Sequence, residues 1–282
     1  MSRMSACFVL TVLVACAATG TASAQEPTNS PAATQPSTGR WVLRSRLRYL
    51  DAREHPDSGD RSFQQWTNNL SLAYGLSGDL SIAALLPVHH RTFRDGDSGE
   101  RDREFGVGDV TMQLKWRIYQ NDFGPIDTSR FSLIAGVQVP SFDRPFSSES
   151  VNPMFGGVFT HVQGRHGFNA SGIFKVNTGS GTSANLGGGA GNANALLYDS
   201  SYVFRISPKS YTADTHGALY GLLELNGIYE TNGDNELLLA PGIMYEARTW
   251  TVEASIQLPI WQDVDRRPET RFAAVLGVRF LF

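Results

Sequence analysis

Cysteine is almost missing from this chain: two occur in 282 residues, Cys7 and Cys16, both within the first 24. Downstream of them no disulfide and no thiolate metal site can form. Charge is scarce as well, 18% against roughly 25% in an average soluble domain. The formal net charge of -3 offers no basic surface to nucleic acid. Long apolar runs are also absent: after residue 24 no stretch approaches the ~20 apolar residues of a membrane helix. Nor does any segment carry a convincing amphipathic helical pattern.

The first 24 residues read as an export signal rather than as part of the fold. Arg3 supplies a positive start, and FVLTVLVACAA (8–18) is apolar but too short to span a bilayer. Ala22, Ser23 and Ala24 before Gln25 are the small residues a signal peptidase accepts. Leu13 to Cys16 (LVAC) offers an alternative, a lipobox in which Cys16 becomes a lipidated N-terminus. Cleavage after Ala24 removes Arg3, leaving 23 of the 24 basic residues against 27 acidic, net -4. Residues 25–40 (QEPTNSPAATQPSTGR) are rich in Pro, Thr, Ser and Gln without apolar periodicity, which predicts a disordered tether.

From Trp41 to Phe282 the period is two. Val110, Met112, Leu114, Trp116 and Ile118 face one way, and Thr111, Gln113, Lys115 and Arg117 the other. Leu43, Leu47 and Tyr49 oppose Arg44, Arg46 and Arg48. Phe131 to Val139 and Phe168 to Val176 give further stripes. About twelve such segments are expected, near 41–50, 62–75, 79–92, 105–119, 130–140, 153–163, 167–177, 194–207, 217–229, 236–247, 250–261 and 271–282. Connections tend to alternate between long and short, as membrane barrels do, and Trp and Tyr gather toward segment ends. The expected fold class is all-β: a transmembrane antiparallel up-and-down barrel of about twelve strands over 41–282. A soluble secreted β-domain is the rival at fold level.

The last strand ends on Leu276, Val278, Phe280 and Phe282 in alternation, expected as the C-terminal signal to the barrel-assembly machinery. Pairing of this strand with the first would remove both sheet edges.

Gly106, Val107, Gly108, Asp109 and Val110, followed by Lys115, Trp116 and Arg117, resemble the GxGD…KYR-like signature of a bacterial outer-membrane family described as MetA-pathway phenol-degradation and transporter-like proteins. Trp116 stands where that signature has Tyr. Leu239 to Gly242 (LAPG) and Leu258 to Ile260 (LPI) are similar to its later strand motifs. The resemblance implies a barrel, suggests uptake of small organic compounds, and supplies no catalytic residues.

Catalytic chemistry finds little footing. On one strand face a Ser–His pair favours His-x-Ser spacing. Two residues beyond His55, His89, His90, His161, His166 and His216 stand Asp57, Arg91, Thr92, Gln163, Phe168 and Ala218. His90 with Thr92 is the nearest match. His161 and His166 flank a turn without carboxylates, so no metal is expected. Asp95 to Glu100 (DGDSGE) lacks the ligand spacing of a calcium loop, and Gly187 to Gly191 (GGGAG) lacks the Lys of a phosphate loop. No cofactor is expected.

If apolar stripes face lipid, Arg44, Arg46, Arg48, Lys115, Arg117 and Arg279 form a basic lumen wall, joined by Lys175 and Arg205. Glu224, Glu246 and Glu253 are its candidate acidic partners. This wall is either an ion-paired interior or a bias toward anionic solutes. The expected function is a passive or weakly selective conduit for small organic solutes, anionic or aromatic. The alternatives are a non-conducting adhesive or scaffolding barrel, and an outer-membrane hydrolase. Expected partners are outer-membrane lipid, the assembly machinery and small organic solutes, without nucleic acid.

Overall fold

The computed structural model describes residues 26–53, 62–94, 100–141, 146–179 and 193–282. Residues 1–25, and with them both readings of the export signal, lie outside these, as do the acidic loop at 95–99 and the glycine run at 187–191. Among the described residues there are strands and no helix. The strands are β1 (Trp41–Arg53), β2 (Ser62–Gly75), β3 (Leu80–Arg94), β4 (Arg101–Val107), β5 (Val110–Asp122), β6 (Thr128–Val139) and β7 (Asn152–Gln163). They continue as β8 (His166–Lys175), β9 (Ala195–Ser207), β10 (Gly217–Glu230), β11 (Asn235–Ala247), β12 (Trp250–Asp263) and β13 (Glu269–Leu281).

Antiparallel pairing runs from neighbour to neighbour and closes the ring where β1 meets β13, from Val42 opposite Leu281 to Arg53 opposite Glu269. Closure pairs the staves on both sides, the condition for a β-structure in hydrocarbon, and leaves β4 alone among the described strands with a single partner, β3. Because β4 pairs with the second half of β3 and β5 with its first half, the two are parts of one stave. The wall therefore has twelve.

The segment expected as one strand at 105–119 starts earlier, at Arg101, and is interrupted at Gly108 and Asp109. Gly108 leaves the ladder beside Pro87 and His89, where a Cβ would collide with both side chains. Part of the expected loop at 92–104 is thus a hairpin, paired out to Arg94 opposite Arg101.

Burial follows the two-residue period, with the usual polarity reversed. On β5, Met112, Leu114, Trp116 and Ile118 are exposed on the outer face, while Gln113 and Lys115 point inward. Leu133, Phe155, Leu223, Ile243 and Leu276 repeat this elsewhere around the ring. The buried side includes Ser132, Thr160, Asn169, Ser201, Glu224 and Glu253. Exposing one Leu or Phe to water costs about 1.5–3 kcal/mol relative to burial. A few dozen large apolar side chains turned outward are stable only against lipid.

Residues 26–40 are not the tether that their composition predicts. They enter the barrel, where Thr28, Ala32 and Ala33 are fully buried. Disorder inferred from composition weighs apolar burial alone. Here the wall presents polar groups away from bulk water, which need partners, and the segment's backbone supplies them.

Candidate functional site

The interior is built from inward residues of the staves together with residues 26–40. At the end of the barrel with the shorter turns, Gly39 N–H donates to Gly75 O (2.8 Å) and Gly75 N–H to Arg40 O (3.0 Å). Thr38 forms a parallel bridge with Gly75, and a Cβ at Gly75 would collide with the backbone of Ser37. Next, the Gln35 amide donates to Gly78 O (2.8 Å), in the turn between β2 and β3. Lys115 on β5 donates to the carbonyls of Ala32 (2.8 Å) and Thr34 (3.0 Å). Ala33 N–H donates to Thr160 Oγ1 on β7 (2.8 Å), and its methyl packs with Ile134, Met154, Val158 and Ile173.

Across the lumen, Glu224 on β10 accepts from three consecutive amides: Thr28 (3.1 Å), Asn29 (3.0 Å) and Ser30 (2.7 Å). The Ser30 hydroxyl adds a fourth bond at 2.7 Å. Asn29 Nδ2 reaches Ser255 on β12 (3.0 Å). On β1, Arg44 donates to Pro27 O (2.8 Å) and Arg46 to Thr28 O (2.8 Å). Glu26 ends the path, 3.7 Å from Arg44 and ion-paired with Arg279. The contacts follow the ring in order from β2 to β13 and β1, so the segment makes almost a full circuit inside the wall.

Of the residues predicted to form a basic wall, Arg44 is bound to Glu253 at 2.7 Å, Arg48 to Gln257 at 2.9 Å, and Arg46 and Lys115 to segment carbonyls. Arg279 lies directly opposite Arg44 in the β1–β13 register. Arg117 has the expected face but a different place: it clamps the 76–79 turn, 2.9 Å from Asp79 and hydrogen-bonded to Gly78 O, at the barrel rim. Lys175 and Arg205 are buried and inward. Of the acids, Glu253 meets Arg44 and Glu246 is buried on β11, but Glu224 spends its carboxylate on the segment's amides. Burial pushes the Glu26 carboxyl up in pKa, and Arg279, Arg44, Lys115 and Arg46 outweigh it, holding the group at about 2. It stays ionised at any physiological pH.

A cavity of about 640 Å³ remains between the segment and the wall. Arg40, Arg44, Arg46, Lys115, Arg248 and Arg279 line it, with Glu26 the one acidic side chain among its described lining residues. Val42, Ala73, Ala83 and Leu85 give it an apolar side.

Elsewhere the interior is a plain polar lattice. The Thr160 hydroxyl donates to Asn169 Oδ1 (2.6 Å), and Asn169 Nδ2 donates to Ser201 (3.0 Å). The buried Asp109 accepts from the Gln138 amide (3.2 Å), Ser141 N–H (3.0 Å) and Ser148 N–H (2.9 Å), tying down the connection from β6 to β7.

His90 and Thr92 share the outer face near the longer loops. Sequence spacing along one strand misses a different pair: Ser129 and His161, opposite each other on β6 and β7, are hydrogen-bonded at 2.7 Å. Phe123 stacks on that ring, and among the described residues no carboxylate orients it, so the pair lacks the third group of a hydrolytic triad. No cluster of three His, Cys, Asp or Glu that could hold a metal ion occurs among the described residues. Leu276, Val278 and Phe280 face outward on β13, and Phe282 exchanges backbone hydrogen bonds with Trp41 at 2.8 and 3.1 Å.

The family described as "Putative MetA-pathway of phenol degradation" matches residues 77–275, well over half of the chain. The chain belongs to this family. The phenol-degradation family assignment agrees with the motif at Gly106 to Val110 on which the resemblance rested. Among solved structures, the COG4313 outer membrane channel from Pseudomonas putida F1 is similar, with a TM-score of 0.57 and 12% identity over 87% of this chain and 96% of that one. The translocator domain of the autotransporter NalP from Neisseria meningitidis gives a TM-score of 0.48 and 12% identity, over 87% of this chain and 89% of that one. The first likeness bears out the fold, a closed transmembrane barrel of twelve staves. No curated protein matches the sequence.

Proposed function

We propose that this member of the phenol-degradation family is an outer-membrane conduit for small organic solutes, held shut by its own residues 26–40. One observation carries the reading: three charged residues of the wall find their partners on a segment that is no part of the sheet. Lys115, Arg46 and Glu224 make their hydrogen bonds to backbone groups of residues 28–34. In this reading the shorter turns face the periplasm and the longer loops the exterior, as in bacterial barrels. Export uses residues 1–24, and the outward row Leu276, Val278 and Phe280, with Phe282, serves the assembly machinery. Twelve strands lie between the filled eight-stranded barrel and the open sixteen-stranded porin, so an inserted segment decides conduction. The cations along the lumen favour anionic solutes once the segment withdraws. No role in turnover is assigned to any residue.

The test is single-channel recording in planar bilayers on the wild type and on a variant lacking residues 26–36. The wild type is expected to conduct little and the deletion to give discrete conductance steps. Arg46→Glu in the deletion background is expected to weaken anion preference. A deletion variant that shows a normal heat-dependent gel shift yet stays electrically silent would overturn the conduit and favour a scaffolding barrel.

A further inference from the structure

The end of the segment is held differently from the rest of it. Residues 28–34 are bound through backbone groups and through the neutral side chains of Asn29 and Ser30, but Glu26 is bound through a charged side chain, by a carboxylate between two guanidinium groups. Arg44 and Arg279 are cross-strand neighbours. Arg44 is already engaged through Nε and Nη2 by Glu253. Arg279 has no such partner on the wall: its Nη2 faces only the sulfur of Met244 at 3.6 Å, and its buried Nε makes no hydrogen bond. Among the described residues Glu26 is therefore the one carboxylate that Arg279 contacts, and it leaves the Nε–H of the fork without a hydrogen bond.

This pair of cations opens onto the 640 Å³ cavity, within the roughly 300–1,000 Å³ of small-molecule sites. Four further cations line the same space, and its apolar side comes from Val42, Ala73, Ala83 and Leu85 on β1–β3. A forked guanidinium with spare donors beside a small apolar wall is the recognition chemistry of a monocarboxylate with a compact hydrocarbon body.

We propose that Glu26 occupies the seat of the solute's carboxylate, so that a small organic acid competes with it for Arg279 and Arg44 and thereby loosens residues 26–30 from the wall. This rests on the conduit reading and adds to it a ligand class and a trigger. The exchange is of one carboxylate for another on the same cations, so it needs no protonation and no change of net charge at the seat.

The experiment is calorimetric titration of the detergent-solubilised full chain with benzoate, and with benzyl alcohol as its uncharged counterpart. Glu26→Gln removes the resident competitor and is expected to tighten benzoate binding about tenfold. Adding Arg279→Lys, which keeps the charge but loses the fork, should reverse most of that gain. Benzyl alcohol should respond to neither substitution. In the wild type, benzoate should speed hydrogen exchange at the amides of residues 28–30. The gel shift confirms that each variant is folded. Benzoate affinity indifferent to Glu26→Gln, or a benzyl alcohol response equal to that of benzoate, would overturn the proposal. Because binding is read at equilibrium without passage, a silent deletion variant would sink the conduit and leave this result standing. A conducting deletion with no competition at Glu26 would do the reverse.

Discussion

Arg44 on β1 and Arg279 on β13 stand directly opposite each other inside the barrel, where like charges in register repel. Glu253 on β12 approaches Arg44 to 2.7 Å from the wall, and Glu26 completes the group from the inserted segment. The juxtaposition is stable only as a four-residue set, half of it supplied by strands that close the ring.

Replacing Arg44 with Ala strips the fully buried Glu253 carboxylate of its ion-pair partner. Removal of one member of a buried pair costs about 3–5 kcal/mol. Arg44→Ala should therefore lower the midpoint of denaturant unfolding in lipid vesicles markedly. Arg44→Ala with Glu253→Gln should regain much of the loss. If the double variant is no more stable than the single one, the two side chains are not coupled.

Glu224 holds the amides of residues 28–30 without touching the closure of the ring. Glu224→Ala leaves three N–H groups short of an acceptor, those of Thr28 and Ser30 buried and that of Asn29 partly so, at about 1–3 kcal/mol for each buried one left unsatisfied. The segment should detach while the barrel persists. Expected readouts are faster hydrogen exchange at residues 28–30 and a larger open fraction in bilayer recordings, with an unchanged gel shift. Retained protection at these amides would show that the remaining contacts suffice.

The barrel was legible in the sequence because lipid imposes a strict rule: one face of each stave must be apolar, so alternation at Met112 to Ile118 or Phe272 to Phe280 marks the wall directly. The same alternation assigned Arg44, Lys115 and Glu224 to the inner side. It says nothing about depth, which is why Arg117 has the right face yet clamps a turn at the rim. Residues 26–40 were illegible for another reason. Their partners, Thr160 and Glu224, lie more than a hundred residues away and bind backbone groups that any sequence carries. The break at Gly108 was visible as a motif but not as a bend, since the crowding of Pro87 and His89 that forbids a side chain exists only across strands.

The two faces of one strand make an internal control. Leu114 is exposed outward on β5, and Gln113 beside it lines the cavity. An arginine on the lipid face near mid-bilayer costs about 2–4 kcal/mol. Leu114→Arg should thus lower folding stability in vesicles by that order. Gln113→Arg should cost far less and act on ion selectivity. Equal losses from the two would mean that water reaches both faces.

Asp109 offers a test of what the interrupted stave is for. Its carboxylate, 2% exposed, collects Gln138 from β6 and both Ser141 and Ser148 from the connection to β7, including the Ser148 hydroxyl at 2.5 Å. Ser141 in turn donates to Val107 O at 2.8 Å, so the connection is fastened to the point where β4 gives way to β5. Above that point β4 pairs only with β3, and among the described residues no strand lies beside its other edge. The connection is tied to that stave through Ser141 and Ser148, which makes it the expected cover. Asp109→Ala removes four hydrogen bonds at once, three of them from groups that stay behind as buried donors. Limited proteolysis with proteinase K should then cut between residues 139 and 152 at a concentration that leaves the wild type intact. Asp109→Asn, which keeps an acceptor oxygen but turns an N–H₂ toward donors, should fall between them. Resistance of Asp109→Ala equal to wild type would place the covering of that edge elsewhere.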